Sequence, residues 1–109
     1  MAFSHTWQAL QQELTKQNLP INISNQTVQG PLFNFFSIKY FDSSHVTVET
    51  IDTNKSLQIY KSDFEKIYDL WPKYIAKLEK REDLRNESFH TTYIISIFYW
   101  LQNKLGNLP

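Results

Sequence analysis

The sequence predicts an α+β protein: an N-terminal helix, a three-stranded antiparallel meander sheet, and two C-terminal helices packed on one sheet face. Three observations carry this. Apolar residues recur at helical spacing near both ends of the chain. Between them, residues 32–60 alternate apolar and polar with a period of two, interrupted by two turn signals. At 109 residues, with 41% hydrophobic and 20% charged side chains, the chain has the size and composition of one domain spanning 1–109.

Each element has its own signal. Ser4 is a suitable N-cap for a first helix, along which Trp7, Leu10 and Leu14 repeat on one face. Asn18-Leu19-Pro20 ends it, because the residue before proline is pushed out of the α region. Asn22 to Pro31 reads as a linker, with at most a short strand at Thr27-Val28. In the first strand of the meander, Phe36, Ile38 and Tyr40 share a face opposite Phe35, Ser37, Lys39 and Phe41. Asp42-Ser43-Ser44 is a turn. Val46, Val48 and Thr50 then alternate with His45, Thr47, Glu49 and Ile51. After a second turn at Asp52–Lys55, Leu57 and Ile59 alternate with Ser56, Gln58 and Tyr60. Ser62-Asp63-Phe64-Glu65 has the form of a capping box. It starts a helix whose stripe is Phe64, Ile67, Tyr68, Trp71, Ile75 and Leu78, with Pro72 inside it to kink or split it. Ser88 is suited to cap the last helix, which runs to Asn103 or Leu105 and stops at Gly106. From Tyr93 to Leu101 its apolar residues cover nearly the whole circumference. One sheet face cannot bury such a helix alone, so it is either central in the domain or buried against a second copy.

Composition excludes several functions. Eleven basic and eleven acidic residues cancel, which lowers the nucleic-acid reading. With no cysteine there is no disulfide, thiolate nucleophile or cysteine-held zinc. Two glycines, at 30 and 106, leave no Gly-rich phosphate loop and no serine nucleophile elbow. The N-terminus has no signal-peptide pattern, and Tyr93–Leu101 is too short to span a membrane. A soluble cytoplasmic protein without membrane contact is expected.

Candidate chemistry is sparse. His5, His45 and His90 are too far apart for a local metal-ligand pair, so no metal or cofactor is expected. Asp63, Glu65 and Asp69 suit a helix N-terminus, and Glu79, Glu82 and Asp83 interleave with bases. His45, Glu49 and Lys39 share the polar sheet face and are the candidates for a small enzyme site, which requires a pocket joining His45 and Glu49. Lys73, Lys77, Arg81 and Arg85 recur every four residues, and on one continuous helix they make a cationic stripe for a phosphate backbone. The same stripe, flanked by Glu79, Glu82 and Asp83, also reads as an ordinary solvated face.

Aromatics are abundant: eight Phe, six Tyr and three Trp. Most fall at core positions. The surplus is Phe35, Phe41, Ile51 and Tyr60 on the second sheet face, with Tyr99 and Trp100 on the last helix. Such a surplus marks self-association or a ligand groove.

From Ile59 onward the chain resembles small proteins of bacterial mobile elements, such as hypothetical proteins encoded by integron gene cassettes. The resemblance lies in Ile59-x-Lys61-x-x-Phe64-x-x-Ile67, Trp71-x-x-Tyr74, Arg81-x-x-Leu84 and Ser88-x-x-Thr91-x-Tyr93-Ile94-Ile95-Ser96-Ile97. It departs from that pattern in lacking a glycine before Arg81 and in having Phe89 after Ser88. The resemblance implies a bacterial accessory protein and brings no catalytic residues. The expectation is therefore a small interaction or accessory protein, homodimeric, that binds a protein or another ligand. Nucleic-acid binding comes second and an enzyme third.

Overall fold

The computed structural model describes residues 3–27, 30–51, 54–77, 84 and 90–108. Helix α1 (Phe3–Thr15) leads into strands β1 (Ile21–Thr27), β2 (Gly30–Phe41), β3 (His45–Thr50) and β4 (Ser56–Tyr60). Helices α2 (Lys61–Ile75) and α3 (Thr91–Leu105) follow. The strands form one antiparallel sheet in the order β1-β2-β3-β4. The α+β class holds, and the meander has four strands where three are expected.

The added strand is β1, in the segment that reads as a linker. Its apolar residues are few, yet it alternates: Ile23 and Asn25 are buried while Asn22 and Ser24 are exposed. Three of the seven positions are β-branched. Polar side chains on the buried side conceal the pattern. Thr27 pairs with Gly30, so a two-residue connection joins β1 to β2, and Gly30 takes φ +127°, which side chains rarely allow.

The core lies between one sheet face and the helices. Ile23, Phe36, Ile38, Val46, Val48 and Ile59 from the sheet are all buried, as are Trp7, Leu10 and Leu14 of α1. Phe64, Ile67, Trp71 and Tyr74 of α2 join them. Helix α3 is the central element of the domain. Ile94, Ile95, Ile97, Phe98 and Leu101 have no accessible surface, and each such side chain contributes about 1.5–3 kcal/mol by burial. Phe98 sits among the rings of Phe64, Tyr68 and Trp71 at centroid distances of 5.8, 6.3 and 5.4 Å. The rings of α2 pack on Phe98 while β1 lies against another part of the helix, so a single chain buries what the sheet alone cannot.

Several boundaries differ from expectation. Ser4 lies inside α1, which already includes Phe3. Helix α2 begins at Lys61, directly after β4, with Tyr60 at its N-cap and no side-chain cap. Ser62 is therefore in the first turn rather than ahead of it. The Lys61 N–H donates to Ser44 O at 2.9 Å, so the β2–β3 turn supplies the acceptor that a capping box would. Pro72 stays inside α2 without splitting it. Helix α3 runs from Thr91 to Leu105 and is capped by Gly106, which adopts the left-handed conformation at φ +79°. The proposed cap Ser88 lies outside the described residues.

A β-bulge changes the facing of β2. Ile38 pairs with Val48, but Tyr40 pairs with Thr47, so Lys39 is an extra residue between them. Beyond it the alternation shifts by one. Phe41 turns toward the core and Tyr40 turns out, the reverse of the unbroken pattern.

Candidate functional site

Among the described residues, the helices cover one face of the sheet and leave the other open. Ladder register places Asn22, Ser37, Lys39, Tyr40, His45, Thr47, Glu49, Gln58 and Tyr60 on the open side. Its centre is polar: Lys39 Nζ donates to Glu49 Oε2 at 3.1 Å, and Ser37 Oγ donates to Asn22 Oδ1 at 2.8 Å. Its ends are apolar. Phe35 is 39% exposed and Ile51, which follows the partner of Phe36, is 42% exposed.

At the other end three rings run across three strands. Tyr40 lies 5.8 Å from His45, and His45 lies 5.7 Å from Tyr60. Tyr40 and Tyr60 are 54% and 49% exposed, and the Tyr60 hydroxyl donates to Gln58 Oε1 at 2.8 Å. His45 is held from below by the turn. Asp42 Oδ1 accepts the Ser44 N–H at 2.8 Å, the Ser44 hydroxyl at 2.8 Å and the His45 N–H at 3.0 Å. His45 Nδ1 is 3.0 Å from the same oxygen. The Ser44 backbone and hydroxyl, with His45 behind them, hold the Asp42 carboxyl below its ordinary value.

The six residues expected to mediate self-association do not form one patch. Phe35, Ile51 and Tyr60 lie exposed at the two ends of the open face. Phe41 is half-buried on the core side because of the bulge. Tyr99 packs edge-on to Trp71 at 4.9 Å, and Trp100 lies beside the free edge of β1 with Lys104 Nζ 5.8 Å from its ring centre. Tyr40 is the exposed ring that the regular alternation hides. The sequence does not signal this bulge, because Lys39 falls at the polar phase of the unbroken alternation.

His45 and Glu49 share the open face but stand four residues apart on β3, about 13 Å along the strand. Glu49 is engaged by Lys39, and His45 by Asp42 and the tyrosines, so the two are not brought together. The cationic stripe loses its helical basis. Helix α2 ends at Ile75, and Lys77 turns out of it with φ +63°. Lys73 is on its last turn, and Arg81 and Arg85 lie outside the described residues. Among the described residues no group of three or more His, Cys, Asp or Glu is placed to hold a metal ion. No helix there is long and apolar enough to cross a membrane. Comparison with protein-family models, curated proteins and solved structures finds no match.

Proposed function

We propose that the protein is a small non-enzymatic interaction protein that associates with a second copy of itself through the open sheet face. The observation that carries this reading is the uncovered face itself, with Phe35, Tyr40, Ile51 and Tyr60 each at least 39% exposed. A two-fold partner suits it. The apolar ends flank a centre in which Lys39 and Glu49 neutralise each other, so the face carries no net charge there to repel its own copy. Four strands at about 4.8 Å and six residues at about 3.3 Å make a plane about 20 Å square. For two partners that is about 800 Å² in total, the size of a weak or transient contact, so association is expected to need tens of micromolar protein. The resemblance to mobile-element proteins is consistent with an accessory role of this kind.

Sedimentation at about 10–100 µM tests it. The expected particle has twice the 13.0 kDa chain mass, and Tyr40→Asp with Tyr60→Asp returns it to a single chain. A single-chain particle of the unaltered protein across that range sinks the reading.

A further inference from the structure

We propose that the cleft between β1 and the second half of α3 is a binding site for a single neutral sugar ring. Its two walls are tied together by Ser96 of α3, whose Oγ accepts the Gln26 N–H at 3.0 Å and donates to Thr92 O at 2.9 Å. With both bonds made inside the protein, Ser96 acts as a strut and leaves recognition to its neighbours. The opening beside it is about 270 Å³, lined by Asn22, Ile23 and Ser24 from β1 and by Trp100 and Asn103 from α3. The walls are in place without a ligand, as those of small-molecule clefts usually are.

The lining selects the guest. Among the described residues, three polar side chains there keep unengaged bonding groups. Asn22 Oδ1 accepts the Ser37 hydroxyl at 2.8 Å, while the Asn22 amide N–H groups have no acceptor. The Ser24 hydroxyl and the Asn103 amide are exposed and make no bond within the protein. A matching guest accepts from Asn22 and both accepts from and donates to Ser24 and Asn103. Because these groups stand on opposite walls, its polar atoms must lie around its rim rather than along one edge. Trp100 and Ile23 supply the apolar part of the lining, and an indole packs well against the C–H face of a ring. No lining side chain is charged, and Lys104, 5.8 Å from the Trp100 ring centre, is not part of the lining. A charged guest therefore finds no counter-charge on the walls to offset its desolvation. A sugar ring meets each demand, with hydroxyls all round, an apolar C–H face and no charge. The volume lies just under the roughly 300 Å³ at which ligand clefts begin, so it suits one ring and not a chain of rings.

The inference does not rest on the dimer. A protein that sediments as a single chain yet binds sugar here removes the dimer and keeps the cleft. A dimer without sugar binding does the converse.

The test titrates ¹⁵N-labelled full-length protein with the methyl glycosides of glucose, galactose, mannose and N-acetylglucosamine, each to about 100 mM, a range that covers millimolar affinities. Adenosine, a flat ring with its polar atoms along one edge, is the comparison ligand. The expected result is saturable shifts with at least one glycoside at the Trp100 indole N–H and at the side-chain amides of Asn22 and Asn103. Binding is expected to weaken about fivefold in Asn103→Ala and about tenfold in Trp100→Ala. Asn103 is exposed, so its variant decides the matter even where Trp100→Ala does not fold. Four results overturn the inference. They are no saturable shift with any glycoside, unchanged affinity in Asn103→Ala, tighter binding of adenosine than of every glycoside, or shifts that fall on Tyr40 and Tyr60 instead of the cleft.

Discussion

Asp42 joins three nearby donors to one carboxylate oxygen, and this has a consequence for stability against pH. Its carboxyl is held below the ordinary value near 3.8 by the Ser44 backbone and hydroxyl and by His45. A group with a depressed folded pKa contributes stability above its unfolded value, and that contribution is lost as pH falls through the folded one. Asp42→Ala is therefore expected to lower urea stability at pH 7 and to lower it less at pH 2.5. Equal losses at both pH values would show that the ionised carboxylate is not what matters. The turn is legible from Asp42-Ser43-Ser44 alone, because Asp and Ser side chains bond their own following backbone. The facing of Tyr40 and Phe41 is not. One inserted residue, Lys39, reverses both, and period-two reasoning assumes no insertion.

The elements show the same division between signals that are local and those set by neighbours. Helices α1 and α3 follow from their apolar spacing, and the Gly106 stop from glycine's tolerance of positive φ. Strand β1 is hidden because polar Asn25 takes a buried position and Gln26 spends its N–H on Ser96, a contact 70 residues away. The start of α2 is displaced because Ser44 O receives the Lys61 N–H, a long-range acceptor that no capping motif reports. Helix α2 closes on Lys77 in the left-handed region, where a side chain costs roughly 1–2 kcal/mol. Glycine relieves that strain and gives back part of it in unfolded-chain entropy. Lys77→Gly is expected to raise stability by about 0.5–1 kcal/mol in chemical denaturation. A loss of stability would mean that the lysine side chain is itself held by contacts worth more than the strain.

For the molecule as a whole, one side of the sheet carries the core and the other is left to solvent or a partner. Linkage then ties association to stability: if two chains close over the open face, Tm rises with protein concentration. The Tyr40→Asp, Tyr60→Asp pair is expected to abolish that dependence, since both rings lie outside the buried core. A Tm that is flat with concentration in the unaltered protein counts against the dimer from a measurement independent of sedimentation. The open face was only partly legible in sequence. Phe35, Ile51 and Tyr60 stand out as apolar residues at polar phase, whereas Tyr40 joins them only through the bulge.

The β2–β3 turn also governs where the chain can be cut or extended. Its consecutive carbonyls are all claimed: Asp42 O by the Gln11 amide, Ser43 O by the Trp7 indole and Ser44 O by the first amide of α2. A short, polar, exposed loop of this kind looks like a natural place for an epitope tag or for new chain ends. Here it fastens both flanking helices to the sheet, so a tag between Ser43 and Ser44 is expected to leave the protein insoluble or protease-sensitive. The same tag placed beyond Leu108, which still packs against the core after α3 ends, is expected to leave expression and protease resistance unchanged.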